Sequence, residues 1–497
     1  MNNLLDVKFV GQILRSRWSW RLLRLSLLLL LLLIAAAGWH HHTIPGLEVK
    51  DPLMYTNLAT YGFWVVWMMG VVFIALFFGR AWCSVCPLGW LNGLVARSGF
   101  KLTLPRWINN YVSVTIVLVL LQLIVYLFAI HRYPDFTAWL IGLMLLLTVF
   151  SGAFFRGRAF CKLFCPAGAV FGLYARIAPF SLRVKDEPTC AGCDTRACVS
   201  GGRFWKKISL GRAVGYWHAE RDACPVDLFP AELRDDSGCT LCLGCLQNCD
   251  RDNMRLGFRP WLAELGKDRL ALTEGLFLLV LLGMLTANFS KVNVDLRELI
   301  FWLPEQVAQL LGWQAGGYNL LAVLWITLGL PLLLTVPGWL VMRLAETNFS
   351  PVPRPDPPTG QQLDVTAGWW QSFRRLALPY IPLLLAAHAI LALVKLNAKG
   401  GYLPLVLGDP SGVKSYLAIN IMTTVTPPGV VVSLDLLKWV VLLLLIAGYA
   451  VSLIAAQRVA LDRTGAIRWG YFFGAATGVT LVAALYLATI IVWLFIR

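Results

Sequence analysis

Eight of the twelve cysteines fall in the sixty residues from Cys190 to Cys249. They run Cys190-x2-Cys193-x4-Cys198, then Cys224-Pro225, then Cys239-x2-Cys242-x2-Cys245-x3-Cys249. Thiolates at x2 spacing converge on three irons of one [4Fe–4S] cube, while the last cysteine of each run crosses to the other cube. That rule assigns Cys224, Cys239, Cys242 and Cys245 to one cluster and Cys190, Cys193, Cys198 and Cys249 to a second. The second run keeps the spacing strictly, apart from Asp250 where proline is usual. The first is looser, with four residues before Cys198 and a 25-residue insertion, 199–223, before Cys224. Paired zinc sites and disulfides are the alternatives, and the tight run suits neither a zinc ribbon nor a disulfide framework.

The other four cysteines sit in a duplication. Gly79-Arg-Ala-Trp-Cys83-Ser-Val-Cys86-Pro87 aligns with Gly157-Arg-Ala-Phe-Cys161-Lys-Leu-Phe-Cys165-Pro166, and both continue Pro-x-Gly, at Gly89 and Gly168. Gly93-Leu-Val-Ala-Arg97 and Gly172-Leu-Tyr-Ala-Arg176 extend the match, so this is an internal repeat. Three readings stand for Cys83, Cys86, Cys161 and Cys165: ligands that join the two halves around a metal or cluster, a redox-active thiol pair, or packing cysteines. Arg80 and Arg158 beside them are expected to lower the thiol pKa and favour thiolates. The unequal spacing, x2 against x3, argues against a perfectly symmetric site.

These residues need a scaffold, and composition describes it. The chain has 497 residues, 58% hydrophobic and only 14% charged, which excludes an ordinary soluble enzyme and indicates a polytopic membrane protein. A net charge of +16 could suggest nucleic acid, but Lys and Arg collect in alternate loops, as the positive-inside rule expects of loops facing the cytoplasm. A cysteine-rich segment on that reducing side is better explained by metal than by disulfides.

The expected fold is all-α and polytopic, with about nine transmembrane helices and an inserted cytoplasmic two-cluster module. Apolar runs place spans near 23–39, 57–78, 109–130, 137–155, 271–289, 318–342, 376–396, 436–456 and 470–496. Pro331 and Pro337 should kink the sixth. The domains expected are a cytoplasmic N-terminus (1–22, read as a signal anchor), a four-helix membrane domain bearing both repeats (23–180), the cluster module (181–269) and a C-terminal membrane domain of about five spans (270–497), which includes an outer interfacial helix near 295–312. The segment Pro351–Pro358 reads as a proline-rich linker.

Two membrane hairpins ending in Gly-Arg-x-x-Cys…Cys-Pro, followed by a two-cluster module, resemble the NapH/NosR-like membrane polyferredoxin family over about residues 57–255. The resemblance implies a bacterial-ferredoxin-like fold for the module and an electron-transfer protein of anaerobic respiration in the bacterial inner membrane. It puts Cys83, Cys86, Cys161 and Cys165 at the family's Cys-x3-Cys-Pro positions, although the first motif is one residue short. The partners implied are quinone or quinol, other subunits of a respiratory complex, and an outer-side redox protein. The basic insertion, with Arg203, Lys206, Lys207, Arg212 and Arg221, is a candidate docking surface for a ferredoxin- or flavodoxin-like donor, or simply a topology-fixing loop.

Quinone chemistry needs a polar, proton-accepting group near the bilayer. Candidates for a quinone or haem site are His388 in the seventh span and His40, His41, His42 and His131 at outer helix ends; each also has an ordinary structural use. No Cys-x2-Cys-His occurs, so nothing indicates covalent c-type haem. The leading function is therefore an oxidoreductase subunit that relays electrons between the quinone pool or a cytoplasmic donor and a respiratory partner. The alternatives are a redox assembly or metal-handling factor for a respiratory metalloenzyme and, from the proline-broken C-terminal spans, a transporter.

Overall fold

The computed structural model describes residues 3–105, 107–210, 213–221, 224–265, 270–290, 294–349, 369–461 and 465–496; for 202–210, 213–221, 315, 346–349, 371 and 496 it describes the backbone alone. The linker Pro351–Pro358 and the side chains of the basic insertion lie outside the described residues. Among the described residues nine helices are long and apolar enough to cross a membrane: Arg17–Gly38, Leu58–Phe78, Tyr111–Phe128, Pro134–Phe154, Leu272–Ser290, Gly316–Ala345, Tyr380–Gly408, Leu434–Ala460 and Trp469–Phe495. Each lies on one of the nine apolar runs. A helix satisfies its own backbone polar groups, which is what lipid demands. The break expected in the sixth is a π-helical stretch, Trp325–Gly329, just ahead of Pro331, whose ring nitrogen cannot extend the hydrogen-bond ladder.

The chain divides into two compact units. The first comprises Met1–Leu33, Ile74–Asn109 and Gly142–Glu264, and it holds every cysteine. Within it the second span is followed by α1 (Ala81–Val85) and α2 (Pro87–Ser98), and the fourth by α3 (Ala159–Leu163) and α4 (Pro166–Ala175). Proline opens α2 and α4 at the first helical position, where its missing N–H is not needed. After Gly99 the chain lies along the end of the fourth span, with Phe100 N–H donating to the Ala153 carbonyl (2.7 Å) and Leu102 N–H to Phe154 (2.9 Å).

The cluster module corrects the all-α expectation, because it carries two antiparallel strand pairs. β1 (Phe180–Val184) pairs with β4 (Met254–Phe258), in register from Phe180↔Phe258 to Val184↔Met254, and so ties the module's ends together. β2 (Gly202–Leu210) and β3 (Ala213–Arg221) turn the insertion into a hairpin of its own. Cys224 N–H then donates to the Val199 carbonyl (2.9 Å), so the ends of the hairpin meet and the insertion leaves the cysteine frame closed. Beneath lies an apolar core of Leu182, Leu241, Leu243, Leu246, Met254 and Leu256, against which Cys239, Cys245, Cys249 and Ala81 pack.

The second unit comprises Ile34–Phe73, Asn110–Ile141 and Leu265–Arg497. Its fifth span is almost wholly buried. The sixth and ninth spans approach through Gly338 and Gly474, where a Cβ on either would stand about 2.5 Å from the other's carbonyl (2.5 and 2.6 Å), a contact that only small residues permit. An amphipathic helix, Val294–Leu310, buries Ile300, Phe301, Pro304 and Ala308 and exposes Leu299, Trp302 and Leu310.

Candidate functional site

The cysteines of the module form two sets. Ionisation of Cys198 is opposed, after burial, by Cys249, Cys190 and Cys193, so those four thiols share one neighbourhood. They line a cavity with Thr189, Thr195, Phe229, Asn248 and Asn253. In the same way Cys245 is opposed by Cys242, Cys239 and Cys224. These are neighbourhoods of thiols, and the two are close enough that Cys245 also feels Cys198 of the other set.

The backbone around these thiols is built for sulfur. Leu228 N–H donates to Cys224 Sγ (3.4 Å) and Asn253 N–H to Cys249 Sγ (3.3 Å), while the Asn253 amide gives a hydrogen to Cys190 Sγ (3.2 Å). The Cys239–Cys245 run turns so tightly that Leu241 and Leu243 both take left-handed φ values, 48° and 61°. That conformation is costly for a bulky side chain and is kept only where the surroundings impose it. Burial pushes Cys239 up to about 12 and Cys198 up to about 11, and it raises Cys245 well above the ordinary thiol value. Cys193 is the exception: hydrogen bonds from Thr195 and Arg196 lower it. Buried thiols clustered this way stay neutral unless a cation draws off their protons.

The duplicated motifs bring Cys83, Cys86, Cys161 and Cys165 together as a third set, since Cys165 is opposed by Cys161, Cys86 and Cys83 in turn. Cys86 and Cys165 cap the N-termini of α2 and α4, and Gly168 N–H donates to Cys165 Sγ (3.3 Å). Helix N-termini favour negative charge. The extra residue of the second motif is absorbed in the turn: Cys86 both ends α1 and starts α2, whereas Phe164 stands between α3 and Cys165. The unequal spacing therefore does not keep the halves apart. The expected lowering of the thiol pKa by the neighbouring arginines is overturned, because burial outweighs Arg158 and pushes Cys161 up to about 12. A redox pair working through free thiolates is disfavoured on that ground.

Arginines that the sequence reading left aside or took only as thiol neighbours join these sets. Arg80 donates to the Ser237 carbonyl, two residues before Cys239, and Arg158 N–H to the Pro225 carbonyl (3.0 Å), next to Cys224. Arg24, from the first span, donates to the Ser84 carbonyl (2.8 Å), between Cys83 and Cys86, and reaches the Cys242 carbonyl at 3.5 Å. The Cys224 set is thus seated against the membrane motifs, while the Cys190 set opens on the cavity. A buried ion network locks the loop before Cys239: Asp236 takes Arg183 (2.6 Å) and Arg259 (3.0 Å), and Glu264 takes Arg183 (2.6 Å) and Arg259.

The histidines are placed otherwise. His42 pairs with Asp135 (2.9 Å) and stacks on Tyr133 (centroids 4.3 Å), and His41 Nδ1 lies 2.8 Å from the Trp39 carbonyl. His40 adopts a left-handed turn, and His131 meets Trp64 edge to face. His388 is half-buried within the seventh span. Among the described residues no three Cys, His, Asp or Glu side chains converge on one point, as the ligands of a single metal ion would. N–H groups directed at cysteine sulfur are what a cube's thiolates accept.

Comparison with known proteins falls on the duplicated motifs. Residues 60–105 and 138–185 each match the family model described as a 4Fe-4S binding domain. An uncharacterized protein of Methanocaldococcus jannaschii is 24% identical over 207 residues, 38% of this chain and 76% of the relative. The Escherichia coli K12 protein named "Putative electron transport protein YccM" is 25% identical over 249 residues, 44% of this chain and 62% of that protein. A second uncharacterized M. jannaschii protein is 26% identical over 189 residues, 36% and 65%. For the latter two the chain spans just under two thirds of the relative. No solved structure matches. Over residues 60–105 and 138–185, which hold the two glycine–arginine–cysteine repeats, the chain is thus similar to 4Fe-4S binding domains.

Proposed function

We propose that this chain is a membrane-bound iron–sulfur electron relay with three cluster sites: Cys190, Cys193, Cys198 and Cys249; Cys224, Cys239, Cys242 and Cys245; and Cys83, Cys86, Cys161 and Cys165. The observation that carries this reading is the sorting of all twelve cysteines into three sets of four within one unit, with backbone or side-chain N–H groups directed at sulfur in each. A [4Fe–4S] group, when bound, supplies one-electron exchange at a potential set by charge, hydrogen bonds and solvent access. The residues give the sites an order. Arg24, Arg80 and Arg158 join the Cys224 set to the membrane motifs, and the Cys190 set holds the open cavity. A soluble partner exchanges electrons at the Cys190 set and a membrane partner, quinone or another respiratory subunit, at the other end. The charge pattern supports placing the module and N-terminus in the cytoplasm and the chain in a bacterial inner membrane.

Iron and acid-labile sulfide content of anaerobically purified protein, with low-temperature EPR during quinol titration, tests the reading. Three cubane signals, at least one of them reduced by quinol, are expected. Zinc or empty thiols would overturn the relay. Copper retained at the membrane motifs without quinol-driven reduction would point to metal handling.

A further inference from the structure

Two guanidinium groups lie inside the membrane-motif site, and the motifs place them by exchange. Arg158 of the second repeat crosses to the first, where Nη1 donates to the Cys83 carbonyl at 2.8 Å. Its path runs over Gly89, where a Cβ would stand 3.5 Å from Arg158 Nη1 and 3.3 Å from Cys161 Sγ. Arg80 of the first repeat crosses in the opposite sense, and its Nη2 lies 3.7 Å from a Cβ built on Gly168. Each arginine therefore lies against the glycine of the other repeat's Pro-x-Gly. Gly79 and Gly157, which precede them, are both left-handed (φ 55° and 75°) and launch the two side chains from equivalent turns.

Both arginines are buried, Arg80 at 8% exposure and Arg158 at 5%. Arg80 donates to the Ser237 carbonyl and Arg158 to the Cys83 carbonyl, both neutral acceptors. Among the described residues no carboxylate pairs with Arg158. A buried cation is costly unless an anion meets it. Thiols lie within electrostatic reach: Arg158 acts on Cys86 and Cys161, and Arg80 on Cys161. Four thiolates around an iron–sulfide cube are a net anion in both redox states, and reduction adds one more negative charge.

We propose that Arg158, the member of the exchanged pair that no carboxylate meets among the described residues, is a positioning residue: it supplies counter-charge that lets an iron–sulfur cluster bind at Cys83, Cys86, Cys161 and Cys165, and it raises that cluster's reduction potential. This rests on the reading of those cysteines as cluster ligands. The sign follows from the charge. A fixed positive charge beside the site stabilises the reduced, more negative state, so its removal makes reduction harder.

The test compares Arg158→Gln with Arg158→Lys in the full chain, reading iron and sulfide content and EPR-monitored potentials. The Gln variant is expected to shift the reduced-to-oxidised ratio of the third signal at least tenfold toward oxidised, a fall of about 59 mV for a one-electron couple. The Lys variant, which keeps the charge without the fork, should stay within threefold of the parent. The module's two signals should not move. If the Gln variant loses the third cluster while its Lys counterpart retains it, counter-charge is again the cause. Equal effects of Gln and Lys, or no shift with either, would overturn the proposal. Cys83→Ser and Cys161→Ser separate this from the underlying reading: if they leave iron content unchanged, the third site itself is wrong, whatever the arginines do.

Discussion

The cysteine module and the membrane motifs solve one problem in different ways. The module holds its thiols on strained, tightly turned loops, with Leu241 and Leu243 left-handed, and leaves Cys193 with a depressed pKa at an open cavity. The membrane motifs use four short helices, place Cys86 and Cys165 at helix N-termini, and import two buried guanidiniums. In the first, N–H groups of the backbone and of Asn253 meet sulfur. In the second, buried guanidiniums stand beside the thiols as well. The contrast teaches that ligand spacing alone does not define such a site; what compensates its charge must be encoded as well.

The strongest way to break the comparison is to remove ligands one region at a time. Cys239→Ser should abolish one module signal and lose about four irons per chain, while Cys83→Ser should spare both module signals and abolish the third. Loss of a module signal in Cys83→Ser would mean that the regions are not separate sites. Chelated protein offers the same contrast without mutation. In timed alkylation at pH 8 read by mass spectrometry, Cys193 should react at least tenfold faster than Cys161, which burial holds at about 12. Similar rates would contradict the difference in surroundings.

The next effects are on stability. Arg183→Met leaves Asp236 and Glu264 sharing Arg259 in a buried setting, and should cost roughly 3–5 kcal/mol of stability, seen as a lower unfolding temperature of the loaded protein and faster cluster loss from the module. Gly157→Ala introduces a Cβ at a left-handed φ of 75°, 2.5 Å from the Pro225 carbonyl. Handedness alone costs about 1–2 kcal/mol, and the seat of the Cys224 set should loosen before the Cys190 set does. The smallest change expected is His42→Ala. It removes a half-exposed pair with Asp135 worth about 1 kcal/mol or less, and iron content should not change; loss of iron would make that histidine part of a site.

Much of the scaffold was legible because its signals are local. Runs of Leu, Val and Ile long enough to span lipid announce helices, and the spacing of the module's cysteines announces that they belong together. The duplication was equally plain in Gly79–Cys86 and Gly157–Cys165. What sequence hid depends on distance along the chain. The insertion closes as a hairpin because Val199 and Cys224 meet, a contact that no spacing rule supplies. Arg80 and Arg158 looked like activators of thiols, since adjacency suggests attraction; burial, which adjacency cannot report, reversed the outcome. Arg24, 60 residues from Ser84 and 218 from Cys242, carries no motif at all. Its only trace was a basic residue at the start of an apolar run, which topology explains without reference to cysteine.

The crossing of Arg158 to Cys83, with Arg80 lying against Gly168, makes the two copies interdependent. One copy of the motif is not a smaller version of the pair: it offers two sulfurs and an arm with nowhere to rest. The copies differ in length by the residue Phe164 without losing that reciprocity.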